Sequence, residues 1–271
     1  MSGKMRTLRD LGNLRGRRAL VCGAAGHIGA AVGQALAEQG ADVCICDLDA
    51  DGAATRAAEL AAVAPGRIVS LACDLAYESS TRELVHDVVE LLGGLDILVH
   101  AAALVGTTEL EGWAVPFEEQ TVAAWDAALR INLTSAFVLV QAGRSALAAS
   151  GHGSVILFGS TYGVVGPDFS LYEGTEMANP AAYAASKGGV LQLVRTLATT
   201  LAPEIRVNAI TPGGVERGQP ESFQGRYRAR TPMRRMAREE DIKGAVAFLA
   251  SDLSAYVTGH NLVVDGGWTA W

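Results

Sequence analysis

Arg18-Ala19-Leu20-Val21-Cys22-Gly23-Ala24-Ala25-Gly26-His27-Ile28-Gly29 reads as a short buried strand running into a glycine-rich turn. Residues 30–39 continue as an Ala-rich amphipathic helix. In the order strand, turn, helix, the glycines let backbone N–H groups approach a pyrophosphate at a helix N-terminus, where the dipole favours an anion. A plain tight turn between a strand and a helix has the same look. The turn alone leaves both readings open.

Working outward, further apolar, strand-like runs fall at 42–46, 67–72, 95–100, 154–158, 205–210 and 261–264. Helical patterns fall at 79–92, 121–148, 180–201 and 239–251. This alternation predicts an α/β fold: a single doubly wound parallel sheet of about seven strands with helices on both faces, a Rossmann fold. Ligands in such sheets bind outside the carboxyl ends of the strands. Gly23–Gly29, Asp47, Ala101–Ala103, Ser160 and Pro212–Gly214 all fall at such ends. Asp47 follows the second strand, where a carboxylate meets an adenosine ribose 2′-OH. Asp74 follows the third and suits either an adenine amino group or the cap of the next helix. Asn132 interrupts an otherwise apolar helical pattern, an odd place for a poor helix former.

The stretch Asn179-Pro180-Ala181-Ala182-Tyr183-Ala184-Ala185-Ser186-Lys187 opens the 180–201 helix. Asn is a good N-cap and Pro is tolerated in the first turn. Tyr183 and Lys187 then lie one turn apart, above an apolar face of Val190, Val194, Leu197 and Leu201. A lysine beside a tyrosine favours the phenolate and lowers the phenol's pKa toward neutrality, which suits proton transfer at a substrate oxygen. A tyrosine at the core edge with a lysine reaching to water fits the same pattern. Gly188-Gly189 within this helix is unfavourable by about 1 kcal/mol each and suggests that another backbone packs closely there.

The chain of 271 residues carries 31 glycines, is 49% hydrophobic and has a net charge of −7. This suits one α/β domain over 1–271 with a polar N-terminal extension at 1–16, and argues against a general nucleic-acid binder. Cys22, Cys44, Cys46 and Cys73 lie in or beside apolar runs without metal-ligand or disulfide-scaffold spacing. They read as buried thiols of a cytoplasmic protein, with no metal site. The stretch up to Arg18 reads as polar and basic, so no secretory segment is expected, and no apolar run reads as long enough to span a bilayer.

Taken together, Cys22–Gly29, Asp74-Leu75, His100–Ala103, Asn132, Ser160, Tyr183-x-x-x-Lys187, Pro212-Gly213 and Gly267 resemble the short-chain dehydrogenase/reductase family from about Arg18 to Trp268. The resemblance implies catalysis by Asn132, Ser160, Tyr183 and Lys187. Tyr183 would be the general acid/base, and Lys187 would tune it and hold the nicotinamide ribose. Ser160 would polarise the reacting oxygen, and Asn132 would hold a water linking Lys187 to solvent. It further implies NAD held by Gly23, Gly26, His27, Ile28, Gly29, Asp47, Leu48, Asp74, Leu75, Ala101, Ala102, Ala103, Tyr183, Lys187, Pro212, Gly213 and Val215. Ser160, Tyr162, Tyr183 and Arg217 become the candidate substrate contacts, with 214–238 as the substrate-loop region.

His27 stands where the family has its middle glycine, and Ser160 precedes Tyr183 by 23 residues, an unusually long interval. The long loops at 104–120 and 163–179 suggest an elaborated substrate pocket. The 216–238 stretch carries seven arginines, at 217, 226, 228, 230, 234, 235 and 238. These suit a polar or anionic substrate, or a solvated basic face. Trp113, Tyr162 and Tyr172 mark an alternative pocket. The expected activity is an NAD(H)-dependent interconversion of a secondary alcohol and a ketone on a sugar, polyol or hydroxy acid. Two alternatives remain: a nucleotide-sugar epimerase or dehydratase with bound NAD, and a non-enzymatic NAD-sensing regulator. The expected partners are a small polar substrate and further copies of the chain in a homo-oligomer (dimer or tetramer), with no nucleic acid and no membrane.

Overall fold

The structure, a computed structural model, describes residues 5–106 and 108–271. Among them, seven strands form one parallel sheet: β1 (Arg18–Cys22), β2 (Asp42–Asp47), β3 (Ile68–Ala72), β4 (Ile97–His100), β5 (Gly153–Phe158), β6 (Ile205–Pro212) and β7 (Asn261–Val264). Their order is β3-β2-β1-β4-β5-β6-β7. The order reverses between β1 and β4, which opens the crevice where such sheets bind ligands.

The helices are α1 (Leu8–Gly12), α2 (His27–Glu38), α3 (Ala50–Ala61), α4 (Glu78–Leu92), α5 (Val122–Leu129), α6 (Ser135–Ala149), α7 (Ala181–Leu201), α8 (Glu221–Arg230) and α9 (Glu240–Ala250). Alternation along the strands sends side chains to two cores. In β1, Leu20 and Cys22 pack with Leu84 and Val88 of α4, Leu139 of α6 and Val190 and Val194 of α7. Ala19 and Val21 point the other way, to Val32 and Leu36 of α2, Leu60 of α3 and Ile242 and Val246 of α9. Both faces of the sheet are covered, which is why its strands read as unbroken apolar runs.

Several expectations need correction. Helix α2 begins at His27 rather than residue 30, so His27, Ile28 and Gly29 form its opening turn. The 121–148 pattern is not one regular helix: a π-helical turn, Arg130–Thr134, joins α5 to α6 and holds Asn132. Such turns widen the backbone and turn a side chain inward. With that turn, Val122–Ala149 is long and apolar enough by composition to cross a membrane, contrary to the sequence reading. Here its inner face, including Leu139, Val140 and Leu147, packs into the core. The 214–238 region, expected as a substrate loop, contains α8.

The 1–16 extension is described from residue 5. Thr7 and Asp10 form a capping box that starts α1. Arg6 and Arg17 then tie this segment to Asp252. The thiols of Cys22, Cys44, Cys46 and Cys73 are all free, with Cys73 partly exposed.

Candidate active site

Helix α7 starts differently from the sequence expectation. Pro180 is its N-cap and offers no side-chain bond. The Gln120 side chain, 61 residues away, accepts from the Ala181 amide at 3.0 Å. Asn179 does not cap. Below this start, Val190, Leu191, Val194 and Ala198 bury the helix against the sheet, each contributing roughly 1–3 kcal/mol by removal from water. That burial fixes where Tyr183 and Lys187 stand.

Lys187 is 3% exposed. Its ammonium donates to the Phe158 carbonyl at the end of β5, at 2.9 Å. It lies 5.8 Å from the centroid of the Tyr183 ring. Burial brings the Lys187 pKa down to about 8. Burial also pushes the Tyr183 phenol up, against the opposing pulls of a hydrogen bond with Ser160 and the Arg217 charge. The expected depression of the phenol by Lys187 is not among these effects, and desolvation leads.

Ser160 is buried just beyond β5, and its Oγ accepts from the Tyr162 amide at 3.2 Å. The short turn Thr161–Gly163 that follows lies directly on α7. A Cβ at Gly163 would sit 2.7 Å from the Lys187 backbone. A Cβ at Gly189 would sit 2.7 Å from the Leu133 side chain. The close approach expected at Gly188-Gly189 is thus met within the chain, and these glycines carry no argument for a second copy.

Asn132 is fully buried in the π-helical turn. Its Oδ1 accepts from the Leu104 amide at 2.8 Å, and its Nδ2 donates to Ser186 Oγ at 3.0 Å. Ser186 Oγ in turn donates to the Tyr183 carbonyl at 2.8 Å. Asn132 therefore joins the strand-end loop to α7. Its side-chain amide is engaged with Leu104 and Ser186.

Beside Tyr183 and Lys187 runs a groove of about 400 Å³. It is lined by Gly23, Gly26, His27, Ile28, Gly29, Asp47, Leu48, Asp74, Leu75, Ala101, Ala102, Ala103 and Pro212, as the sequence predicts for a dinucleotide. The turn is too tight for side chains: a Cβ would lie 1.9 Å from the Gly23 carbonyl at Gly29, and 2.5 Å from the Ala102 amide at Gly23. No side chain caps α2, so its first N–H groups face the groove end unclaimed. These features fit a bound pyrophosphate. Asp47 accepts from the Ala25 amide at 2.9 Å and the Asp49 amide at 3.2 Å, so it braces the turn. Asp74 accepts from Ala76 at 2.9 Å and does not cap α4, whose N-cap is Tyr77. His27 Nδ1 lies 3.3 Å from Glu239 Oε1, an ion pair only when the imidazole is protonated.

On the other side of Tyr183 opens a cavity of about 940 Å³. Ser160, Tyr162, Tyr172, Asn179, Tyr183, Gly213, Val215, Arg217 and Phe223 contribute to its wall. Gly213 and Val215, expected along the cofactor, line this cavity and not the groove. The Tyr162 and Tyr172 hydroxyls bond to each other at 2.8 Å. Burial pushes both phenols up, Tyr172 to about 12. Trp113 is not in this cavity. It is 1% exposed, and its indole N–H donates to the Val105 carbonyl at 2.8 Å.

The arginines of 216–238 divide sharply. Arg226 donates to the Leu171 and Glu173 carbonyls. Arg228 pairs with Glu221, Arg230 with Asp168, Arg235 with Asp241 and Arg238 with Glu240. Arg234 donates to the Ala229 carbonyl. Arg217 alone among them lines both the groove and the cavity. Two of them, Arg226 and Arg230, therefore fasten α8 to the 168–173 segment. An aromatic ladder of Tyr172, Phe223, Tyr227 and Trp268 reinforces the join, with Tyr227 and Trp268 stacked at 4.4 Å. Asp168 pairs with Arg230, and Glu176 reaches the cavity wall.

Sequence reasoning missed Gln120 as the cap of α7 and Asn179 as a cavity residue. Gln120 carried no local signal, being distant in sequence. Asn179 carried one that pointed the wrong way, its fitness as a cap.

The comparisons with known proteins agree with this geometry. Residues 23–269 match the family model described as enoyl-(acyl carrier protein) reductase. A cis-4-hydroxycyclohexanecarboxylate dehydrogenase of Sinomonas cyclohexanicum is 38% identical over 94% of this chain and 97% of its own. A D-threitol dehydrogenase of Mycolicibacterium smegmatis is 35% identical over 94% of each. The crystal structure of a short-chain type dehydrogenase/reductase from Mycobacterium marinum superposes with a TM-score of 0.83 at 30% identity, covering 98% of this chain and 100% of that one. Model match, full-length relatives and a shared fold lead to one conclusion: the chain belongs to the short-chain dehydrogenase/reductase family of Rossmann-fold oxidoreductases, which bind a nicotinamide dinucleotide.

Proposed function

We propose that the protein is an NAD(H)-dependent oxidoreductase that interconverts a secondary alcohol and a ketone on a small polar substrate. The observation that carries this reading is the position of Tyr183, which borders both the dinucleotide groove and the large cavity, with Ser160 and Lys187 beside it. The nicotinamide, when bound, accepts or delivers hydride at the substrate carbon. Ser160 holds the reacting oxygen by its hydroxyl. Tyr183 takes the proton from that oxygen in the oxidative direction and returns it in the reductive one. Lys187, held by the Phe158 carbonyl, supplies positive charge one turn away and favours the phenolate when the proton leaves. Asn132 keeps the Leu104 segment and α7 in register and so positions Tyr183.

NAD is the proposed cofactor because Asp47, at the groove's wall, opposes a 2′-phosphate and Leu48 beside it offers no positive charge. Relatives that act on a hydroxycyclohexanecarboxylate and on threitol support a cyclic hydroxy acid or a polyol as the substrate class. The same reading carries a cytoplasmic homo-oligomer, a dimer or tetramer, which sedimentation of the purified protein tests. The activity is tested by following NADH absorbance with a panel of polyols, sugars and hydroxy acids. Turnover of at least one by the wild type and none by Tyr183→Phe supports the proposal. Silence of the wild type across the panel counts against it.

A further inference from the structure

Of the seven arginines of 216–238, six have partners for their guanidinium groups. The Arg217 guanidinium has none among the described residues. Its backbone amide, by contrast, donates to Gln219 Oε1 at 2.7 Å. The chain on either side of that amide is pinned. Gln219 Nε2 donates to the Val215 carbonyl at 2.8 Å, and the Glu216 amide donates to the Ala237 carbonyl at 2.9 Å. An anchored backbone with an unclaimed head group has part of the ordering that a ligand contact requires already in place.

The head group stands by the reacting centre. Arg217 lines both the cavity and the groove. The residue reaches solvent, yet loss of water is the leading influence on its guanidinium and lowers its pKa, against the raising pulls of Glu239 and Tyr183. Its charge in turn pulls the Tyr183 phenol down. Such mutual influence fades with separation, so it puts the guanidinium on the Tyr183 side of the wall. The other charged groups of the cavity wall are Glu176 and His27, and His27 Nδ1 lies 3.3 Å from Glu239 Oε1. Lys187 lines the groove, where the Phe158 carbonyl holds it. Among the described residues, Arg217 is thus the permanent cation of the cavity. Met177 and Phe223 give the cavity apolar surface for a carbon skeleton. A pyrophosphate has its own seat at the uncapped start of α2.

We propose that Arg217 is a specificity-determining residue: its guanidinium binds a carboxylate of the substrate while Ser160 and Tyr183 hold the reacting oxygen, which makes the substrate a hydroxy acid and not a polyol. The proposal rests on the reading of Ser160 and Tyr183 as the reacting centre. The planar fork of a guanidinium matches a carboxylate with two parallel, charge-assisted bonds. A polyol offers it no charge. The carboxylate fixes one end of the substrate and so helps to set which carbon meets the nicotinamide.

The test compares kcat/KM with NAD for an acid and its neutral carboxamide. The pairs are 4-hydroxycyclohexanecarboxylate with 4-hydroxycyclohexanecarboxamide, and 3-hydroxybutyrate with 3-hydroxybutyramide. The wild type is expected to favour the acid in at least one pair by about tenfold or more. Arg217→Gln should bring that ratio to within about threefold of unity, through KM, and Arg217→Lys should keep part of it. A ratio cancels any effect of the lost charge on Tyr183, because both members of a pair share it. Arg217→Glu should reverse the choice and favour 4-aminocyclohexanol over the acid, which a merely structural arginine would not do. Titration with NADH, read by fluorescence, separates the two sources of an anion. Loss of NADH affinity with the acid preference intact gives the guanidinium to the cofactor phosphates and overturns the proposal. So does an acid preference retained in Arg217→Gln. So does a wild type that does not distinguish acid from amide, a comparison that needs no variant to fold. If the wild type oxidises none of the four compounds, the failure belongs to the oxidoreductase reading, and calorimetry on the NADH complex decides the role of Arg217. Cyclohexanecarboxylate should then bind about tenfold or more tightly than cyclohexanecarboxamide, with the difference erased in Arg217→Gln. Equal binding overturns the proposal there.

Discussion

The Lys187 ammonium donates to the Phe158 carbonyl at 2.9 Å, so the end of β5 sets the cation that stands one turn from Tyr183. The phenol and the ammonium thus have separate supports. Tyr183→Phe should reduce turnover by about 10²–10⁴-fold while NADH binding, read by fluorescence, stays nearly unchanged. Lys187→Met should weaken both, since it removes a cation from the groove as well as from the phenol. Wild-type-like turnover in Tyr183→Phe would eliminate the proposed proton transfer.

Asp47 has two tasks. It braces the Gly-rich turn through the Ala25 amide, and its charge opposes a 2′-phosphate. Like charges about 4 Å apart repel by roughly 1–4 kcal/mol between water and a surface dielectric. NAD should therefore exceed NADP in kcat/KM by about tenfold to several hundredfold. Asp47→Ala should narrow that ratio and also lower the unfolding temperature, because the Ala25 amide loses its acceptor. Equal efficiency of the wild type with both cofactors sinks the assignment.

Arg217 and Arg226 should separate cleanly. Arg217→Ala is expected to raise KM for the true substrate by about tenfold, in line with loss of one charged hydrogen bond, with the unfolding temperature unchanged. Arg226→Ala removes a guanidinium that holds the Leu171 and Glu173 carbonyls. It should instead destabilise the protein, by about 1–3 kcal/mol in urea unfolding. The reverse pattern would put the substrate on α8.

His100 is buried, with Nε2 2.7 Å from Ser135 Oγ. Ser135 Oγ donates its one proton to the Ile131 carbonyl at 2.6 Å, so His100 Nε2 is the donor in the pair. Burial, helped by the Lys187 charge, brings the His100 pKa down to about 3 from an ordinary value of 6.5. Below pH 6.5 the unfolded chain takes up a proton that the folded chain refuses, so stability falls as pH falls. Between pH 7 and pH 5 the loss should be about 2 kcal/mol from this residue. Urea midpoints at the two pH values measure it. His100→Asn should flatten the dependence over this window, and an unchanged slope would refute the assignment.

The sheet was legible because its five central strands are buried and read as apolar runs with a turn behind them. The groove was legible for a related reason: Gly23 and Gly29 leave no room for a side chain, so steric demand had already written them into the chain. What could not be read was the partnering of distant polar groups. Nothing local to Gln120 says that it caps α7, and nothing in seven arginines says that Arg217 reaches the cavity while Arg226 and Arg230 fasten loops. The π-helical turn left a trace, the misplaced Asn132, but a misplaced residue announces an irregularity without giving its geometry. The Tyr183 phenol went astray because proximity of a cation is visible in a sequence, whereas the depth of desolvation is not.

The contact of Gly163 with the Lys187 backbone joins the turn after Ser160 to α7 with no side chain between them. The distance from Ser160 to Tyr183 is therefore a property of two backbones in contact, and the chain running from 164 to 179 does not set it. That connecting segment is thereby released from the chemistry. Side chains that face the cavity can be exchanged along it, reshaping what the cavity admits, while the proton-transfer geometry is kept by the two backbones.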